Sequence, residues 1–281
     1  MLPFSIITDV VVRTIQPWFA SAPYSGAYHT GTLRINGETV LTDQFKWRVY
    51  GSERKGRYGE LDISSSTRMI SEKNGICWKL DFNNPTEKEI TIKVEQDVIG
   101  FISRYDTDWQ WWYPTPSIRG NKKEIYSDDL IGVFLENLHE AKKVRDNIGL
   151  QSDSIDWPED EVIMNSKFYK TAVYENVVSI QDVNSDAKTS FAFATSPDEI
   201  LAANSGATAK WKLTIPPKSS KQFSFVMAFG DNKKEVELLA SDWANNFETT
   251  FHSVKEAWEQ KWYALFTPGN DFVSGNFPVL E

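Results

Sequence analysis

The densest group of side chains able to do chemistry lies in residues 105–114, where aromatic rings and carboxylates are mixed without a helix or strand period. Its chemically capable members are Tyr105, Asp106, Asp108, Trp109, Trp111, Trp112 and Tyr113. Flat aromatic faces beside hydrogen-bonding groups suit the faces of a sugar ring. We therefore predict that these seven residues form a substrate-binding loop.

Asp106 and Asp108 are also the best candidates for a catalytic carboxylate pair. Glycosidic bond cleavage needs two carboxyl groups roughly 5 to 9.5 Å apart, and these aspartates are two residues apart. An acidic chain contains many such pairs, so polar contacts to the rim of a saccharide and a plain loop remain alternatives. For Trp109, Trp111 and Trp112 the alternative is packing against the core or a neighbouring domain.

The sequence shows no motif for metal binding, disulfide formation, phosphate binding or nucleophilic catalysis. His29, His139 and His252 are far apart, and Cys77 is the single cysteine, so we expect no metal site and no intrachain disulfide. Gly-rich phosphate loops and Gly-x-Ser-x-Gly nucleophile motifs are absent. We therefore expect no cofactor.

The composition restricts the partners and the compartment. The chain has 281 residues, a formal net charge of −9 and a pI near 5.0, which argues against nucleic acid as a partner. An apolar run of roughly 18 residues, as a membrane-spanning helix requires, is absent from the sequence. Residues 1–12 lack the features of a signal peptide, so we expect no membrane partner and slightly favour the cytoplasm.

Most of the sequence is typical of short antiparallel strands. Residues 76–94 alternate in polarity on both sides of Asn83-Asn84-Pro85, and residues 209–229 do so around Pro216-Pro217, which predicts two hairpins. Asn36-Gly37 predicts a third hairpin. Residues 51–59 are charged and bounded by glycines, which predicts a solvated loop. A total of about twelve or more strands indicates a mainly β fold, a large antiparallel β-sandwich.

An apolar stripe follows the strands. Its members recur at steps of three and four and are Ala240, Trp243, Phe247, Phe251, Val254, Trp258, Trp262 and Leu265. This spacing predicts an amphipathic helix or helix pair that packs against a large surface. We expect a β-sandwich domain over residues 1–230 and a helical linker over residues 231–281, in which the apolar residues 272–280 lead toward a missing catalytic barrel.

These features together resemble one carbohydrate-active family. The alternating segment 78–94, the segment 211–230 and the Trp-rich helix end with residues 266–278 resemble the N-terminal sandwich and linker of six-hairpin glycosidases. Those glycoside hydrolases join a galactose-mutarotase-like supersandwich to an (α/α)6 barrel. The resemblance implies that the partner is a barrel of the same polypeptide, that the ligand is an oligosaccharide or glycoside, and that both catalytic carboxylates belong to the barrel.

Three hypotheses about function follow. The first is a non-catalytic sandwich domain of a glycoside hydrolase, in which residues 105–114 are lent to the substrate cleft. The second is a free-standing carbohydrate-binding module that uses Trp109, Trp111 and Trp112. The third is a structural or adhesion sandwich without enzymatic activity. Under the first hypothesis this chain contains no catalytic residue.

Overall fold

The computed structural model describes residues 24–25, 32–70, 73–100, 102–104, 169–183 and 185–266. The first nine strands in this part of the chain are β1 (Tyr24–Ser25), β2 (Leu33–Ile35), β3 (Glu38–Thr39), β4 (Gln44–Arg48), β5 (Gly51–Tyr58), β6 (Leu61–Met69), β7 (Gly75–Asn84), β8 (Ile90–Ile99) and β9 (Ser103–Arg104). The elements that follow are β10 (Tyr169–Tyr174), β11 (Val177–Asp182), β12 (Lys188–Phe193), β13 (Glu199–Ala202), β14 (Gly206–Ile215), β15 (Ser219–Gly230) and the helices α1 (Lys233–Asn245) and α2 (Phe247–Phe266).

The strands form two large antiparallel sheets. The larger sheet has the order β10-β11-β12-β15-β7-β6-β5-β4, and the smaller has the order β13-β14-β8-β2-β3. β1 and β9 form a separate short pair. The predicted fold class, a mainly β antiparallel sandwich followed by a helix pair, is confirmed.

Aromatic rings from both sheets meet in the core between them. Trp211 of the smaller sheet stacks on Phe223 of the larger sheet, with the ring centroids 4.8 Å apart. Trp78 is buried and stacks on Phe225 at 4.9 Å. Successive side chains of a strand point to opposite faces, so the period of two in the sequence places these rings on the inner face.

The two hairpins predicted from alternating polarity are wrong. β7 pairs with β6 and β15, whereas β8 pairs with β14 and β2, so residues 85–89 cross from one sheet to the other. Residues 216–218 likewise join β14 to β15 in the opposite sheet. Alternation identifies the buried face of each strand, but it does not distinguish a hairpin from a crossover between two sheets that share a core. We call these two crossovers the arches.

One buried side chain fastens the arches to each other. Asn84 is fully buried, and its Nδ2 donates to the carbonyl oxygens of Lys88 at 2.7 Å, Ile215 at 3.0 Å and Pro216 at 3.1 Å. Its Oδ1 accepts from the backbone N–H of Thr86 at 3.0 Å and from the Thr86 hydroxyl at 2.7 Å. The amide therefore meets backbone groups of both arches at a point that water does not reach.

The short hairpin at Asn36-Gly37 is confirmed. β2 and β3 pair antiparallel on either side of it, and both turn residues have positive φ, 51° at Asn36 and 87° at Gly37. Two successive positive φ angles match the right-handed twist of the strands, and they are the reason that Asn-Gly predicts this turn.

Residues 51–59 contradict the predicted solvated loop, because most of them form β5, which pairs with β4 and β6. Charged side chains are accommodated here by partners on the neighbouring strands. Arg57 contacts Asp62 at 2.9 Å, and Glu53 contacts Arg48 at 3.1 Å. Opposite charges placed across an antiparallel pair favour the strand, and the charge run alone did not reveal that arrangement.

The helix pair packs on the outer face of the larger sheet. The side chain of Asn232 caps α1 by accepting from the backbone N–H of Glu235. The inner side of α1 buries Val236, Ala240, Trp243 and Ala244. These side chains cluster with Cys77, Ala192, Val226 and Ala228 of the sheet. Burial raises the pKa of the Cys77 thiol to about 12, so the thiol remains protonated and shielded.

The apolar stripe predicted for the helix pair is buried only over its first part. Phe247, Phe251 and Val254 of α2 are buried, in accord with the prediction. Trp258 is half-buried, and its Nε1 donates to the carbonyl oxygen of Met69 at 2.7 Å. Leu265, near the end of α2, is 50% exposed. The sheet thus covers the beginning of α2 and leaves its end accessible.

Candidate functional site

The seven residues predicted to bind substrate lie outside the described residues. Tyr105, Asp106, Asp108, Trp109, Trp111, Trp112 and Tyr113 follow β9 directly. Their role therefore stays a prediction. The apolar segment 272–280 also lies outside the described part of the chain.

Two described residues that flank the segment 105–168 in sequence, Gly100 and Tyr169, both lie beside β11. On one side, a Cβ added at Gly100 would lie 2.6 Å from Cδ1 of Ile180 and 3.0 Å from Cβ of Thr189, so the chain needs glycine to pass this close to the larger sheet. On the other side, Tyr169 in β10 pairs with Asp182 in β11. The described chain therefore passes β11 shortly before the predicted sugar-binding segment and again directly after residue 168.

An aromatic and polar patch lies on the inner face of the larger sheet, near its β4 edge. We call it the inner-face patch, and it consists of Phe45, Trp47, Ser52, Arg54, Ser65 and Thr67. Register pairing puts Trp47, Ser52 and Thr67 in one row of the sheet. It puts Phe45, Arg54 and Ser65 in the next row. Because residues opposite each other share a face, all six side chains stand on the side of the sheet that bears the core.

Arg54 is the centre of the inner-face patch. Its side chain is 1% exposed, its guanidinium lies 5.3 Å from the centroid of the Phe45 ring, and Nη1 donates to the Ser52 hydroxyl at 2.9 Å. Trp47 is 56% exposed. The accessible surface of the Trp47 ring suits contact with a polar ring compound, whereas the guanidinium of Arg54 is buried and makes its contacts within the protein.

Two buried hydrogen-bonding groups lie in the row of the sheet that contains Trp47. Thr67 and Trp78 are register partners on β6 and β7. Oγ1 of Thr67 and Nε1 of Trp78 are buried and make no hydrogen bond with the described residues. Buried polar groups nearly always have partners, so these two groups are exceptions within the described residues, and their burial keeps them out of reach of a ligand at the surface. The patch itself contains no carboxylate and no histidine, so its described residues are equipped for binding rather than proton transfer.

The inner-face patch was not predicted from the sequence, because residues 51–59 were predicted to form a loop and Ser52 and Arg54 were therefore not placed in a sheet. A signal was present, since Ser52, Arg54, Gly56 and Tyr58 alternate with Glu53, Lys55 and Arg57. This period of two is typical of a strand with one charged face. The prediction gave more weight to the glycines at both ends of the segment, Gly51 and Gly59, and therefore favoured a loop over a strand.

A pair of carboxylates with opposite pKa shifts lies on the outer face of the larger sheet. Burial raises the pKa of Asp81, whereas a hydrogen bond from Gln222 at 2.8 Å lowers the pKa of Glu248. Such opposed shifts are typical of acid–base pairs. Here, however, Glu248 also accepts from Nζ of Lys79 at 3.0 Å, so its described contacts fasten the first turn of α2 to the sheet.

The described residues contain neither a cluster of metal ligands nor a helix able to span a membrane. Nowhere among them do three or more His, Cys, Asp or Glu side chains gather as metal ligands. Of the described helices, neither α1 nor α2 has the length and hydropathy to cross a bilayer.

The fold defines a class, a two-sheet antiparallel β-sandwich with a helix pair on the outer face of the larger sheet. No protein-family model matches the chain, and no curated protein matches it. Solved structures do show similarity. A protein from the human microbiome assigned as a kojibiose phosphorylase has a TM-score of 0.46 and 8% identity, over 89% of this chain and 30% of that protein.

Two further solved structures are similar at a lower level. A polysaccharide lyase has a TM-score of 0.38 and 8% identity, over 80% of this chain and 29% of that chain. A protein from Klebsiella pneumoniae assigned as an aldose 1-epimerase has a TM-score of 0.33 and 8% identity, over 74% of this chain and 58% of that chain. The chain thus spans less than two thirds of each of these proteins, and similarity this low carries no inference about chemistry.

Proposed function

We propose that this chain is the non-catalytic N-terminal sandwich domain and linker of a carbohydrate-active glycoside hydrolase. In this proposal the sandwich is a supersandwich, the linker leads to an (α/α)6 barrel of the same polypeptide, and the barrel contains the catalytic carboxylates. The aromatic residues 105–113 border the substrate cleft, which accepts an oligosaccharide or glycoside. The observation that carries the proposal is the exposed apolar end of α2.

That end, which we call the α2 tip, consists of Trp262, Tyr263 and Leu265. Tyr263 is 68% exposed, Leu265 is 50% exposed and Trp262 is half-buried. Single exposed apolar residues are normal, but two exposed residues and one half-buried residue within four positions form a patch of the kind that contacts another body. Trp262 and Leu265 of the tip also belong to the stripe that is buried earlier in α2, so a partner domain would extend the same apolar interface.

The base of the helix pair is held firmly, which suits a linker that orients a second domain. Arg68 on β6 lies over the ring of Phe251 at 3.6 Å and donates to the carbonyl oxygen of the same residue. Lys79 and Gln222 hold Glu248 in the first turn of α2. Because these contacts fix α2 on the sandwich, a domain bound at the α2 tip would take one orientation relative to the sheets.

The proposal predicts that the α2 tip stabilises the catalytic domain and contributes little to this chain by itself. We expect the double variant Tyr263→Ser, Leu265→Ser to lower glycosidase activity and the thermal midpoint of the full-length gene product. In the isolated chain the same change should alter the free energy of unfolding by about 0.5 kcal/mol or less, since exposed positions contribute little. Activity assays and calorimetry on both proteins measure these effects.

Leu238→Ser is the matched control, because Leu238 is an exposed leucine of the same helix pair, 70% exposed on α1. Leu238→Ser should leave the activity and thermal midpoint of the full-length product, and the free energy of unfolding of the isolated chain, unchanged. The proposal fails if the full-length product has no catalytic domain, if the isolated chain hydrolyses glycosides, or if Leu238→Ser has the same effect as the double variant.

The inner-face patch favours a second candidate, a free-standing carbohydrate-binding module. If the module hypothesis holds, oligosaccharides change the Trp fluorescence of the isolated chain with saturation. Trp47→Ala should then weaken binding by about twofold to tenfold, the effect of one aromatic contact. Trp111→Ala tests the predicted loop in the same way.

Tyr174→Ala is the control for this titration, because Tyr174 is an aromatic residue of β10 with 75% exposure and lies apart from the patch. It should leave the affinity unchanged. A chain that gives no fluorescence response to any oligosaccharide, or a response that neither tryptophan variant alters, would remove the module hypothesis.

A further inference from the structure

A cavity of about 110 Å³ lies on the outer face of the larger sheet, beside the start of α1. One buried water needs on the order of 10–15 Å³, so this cavity has room for a small polyatomic group. Its lining consists of Lys170, Thr171, Ala172, Ser179, Ile180, Gln181, Lys188, Ser190 and Lys233. Three of these nine residues are lysines, and among the described residues that line it none is acidic.

The fold brings the three lysines together from separate parts of the sequence. Gln181 in β11 pairs with Lys170 in β10 on one side and with Lys188 in β12 on the other, so the two lysines flank one position of the sheet on the same face. Lys233 is the first residue of α1. Strand register and helix docking therefore place three lysines around one cavity, in a chain with a net charge of −9. Nζ of Lys188 also donates to the carbonyl oxygen of Asp186 at 3.4 Å, a long hydrogen bond.

Ion pairs with acidic side chains do not explain why the three lysines lie together. Within the described residues, Lys170 and Lys188 have no carboxylate within ion-pair distance. Glu237 contacts two of the lining residues, and it accepts a hydrogen bond from the Ser179 hydroxyl at 2.7 Å. Lys233 lies 3.7 Å from Glu237, a long contact at half exposure. Like charges repel, so an anion between the lysines would remove an unfavourable interaction.

We propose that this cavity binds a sulfate or phosphate group, either as the free ion or as an ester on a sugar. Lysine ammonium groups supply the point charges for which such oxyanions have high affinity. The positive end of the α1 dipole, at Lys233, acts in the same direction. The cavity requires no catalytic partner domain, because its lining residues belong to β10, β11, β12 and the first position of α1.

Titration of the isolated chain with sodium sulfate and with sodium phosphate, against sodium chloride at equal ionic strength, tests the proposal by NMR. We expect saturable shifts at the amides of Ser179 and Ser190 with sulfate or phosphate and none with chloride. The double variant Lys170→Gln, Lys188→Gln should weaken binding by at least about tenfold, since hydrogen bonds to charged groups contribute this much. Lys212→Gln, on β14 of the smaller sheet, is the matched control and should leave the affinity unchanged.

A second titration distinguishes the source of the oxyanion. A sulfated oligosaccharide that binds more tightly than free sulfate, while its unsulfated counterpart does not shift Ser179 and Ser190, supports an ester on a sugar. Equal affinity for the sulfated sugar and the free ion supports an ion site. The proposal is overturned if neither sulfate, phosphate nor the sulfated sugar gives saturable shifts. It is also overturned if a folded variant that lacks all three lysines binds as the wild type does.

Discussion

Replacing Asn84 with alanine is expected to lower the free energy of unfolding by about 3–5 kcal/mol. The variant removes the amide donor from the carbonyl oxygens of Lys88, Ile215 and Pro216 and the acceptor from the N–H and hydroxyl of Thr86. The oxygens of Lys88 and Pro216 keep the hydroxyl groups of Thr86 and Ser219 as donors. A buried polar group that loses its partner costs about 1–3 kcal/mol, and Asn84 is fully buried. Chemical denaturation of the wild type and of Asn84→Ala measures the difference.

Asn84→Asp should sharpen this test, because it keeps the shape of the side chain and replaces two donor hydrogens with an acceptor. Burial and the facing carbonyl oxygens would raise the folded-state pKa of the new carboxyl above its unfolded value. Its stability penalty is therefore smallest below the unfolded pKa and grows as the pH rises toward neutrality.

Asn83→Ala is the matched control for both Asn84 variants. Asn83 is half-buried, and its Oδ1 accepts one hydrogen bond from the Ser220 hydroxyl at 3.1 Å. The control should cost about 1 kcal/mol or less. Equal losses for Asn83→Ala and Asn84→Ala, or an Asn84→Asp variant whose stability relative to wild type does not change with pH, would contradict the fastening role of Asn84.

Replacing Arg68 with methionine is expected to loosen the helix pair and lower the free energy of unfolding by about 2–3 kcal/mol. Arg68 lies over the Phe251 ring at 3.6 Å and lies 5.1 Å from the Tyr50 ring. It also donates to the Phe251 carbonyl oxygen, and burial lowers its pKa. Methionine retains the apolar stem but removes the cation and the donor, each of which contributes about 1–2 kcal/mol when shielded from water.

Cys77 gives a local readout of this change. It is the single cysteine of the sequence, it is fully buried, and it belongs to the cluster that Phe251 and Trp243 complete. A thiol reagent should therefore label native protein slowly. In Arg68→Met the labelling rate should rise by roughly 30-fold or more, because the open state becomes more populated.

Arg57→Met provides the comparison, since the Arg57 side chain is 72% exposed and its ion pair with Asp62 lies at the surface. That variant should cost about 0.5 kcal/mol or less and leave the labelling rate unchanged. Arg68→Met behaving like Arg57→Met in both measurements would show that the arginine does not anchor α2.

The features that sequence reasoning predicted correctly depend on local physical chemistry. Asn36-Gly37 forms the expected turn because the required positive φ angles are a property of those two residues. Phe247, Phe251 and Val254 are buried as the helical period predicts. In both cases the cause lies within a few residues of its effect.

The features that it missed depend on distant partners. Residues 78–82 and 90–94 each alternate as a strand should, but their partners, β15 and β14, are more than a hundred residues later in the sequence. The partners of Arg48 and Arg57 lie on neighbouring strands, and so β5 looked like a solvated loop. The inner-face patch was missed for the same reason, since its two rows exist only when β4, β5 and β6 pair.

The arches also determine when this chain is able to fold. Asn84 and its acceptor Ile215 are 131 residues apart, and β7 and β8 each need a partner from the far side of that interval. A ribosome adding about 5–20 residues per second takes on the order of 10 s to supply the missing strands. During that time the two newly made hydrophobic strands have unpaired edges. The yield of folded protein therefore depends on whether chaperones bind these edges before the nascent chain aggregates.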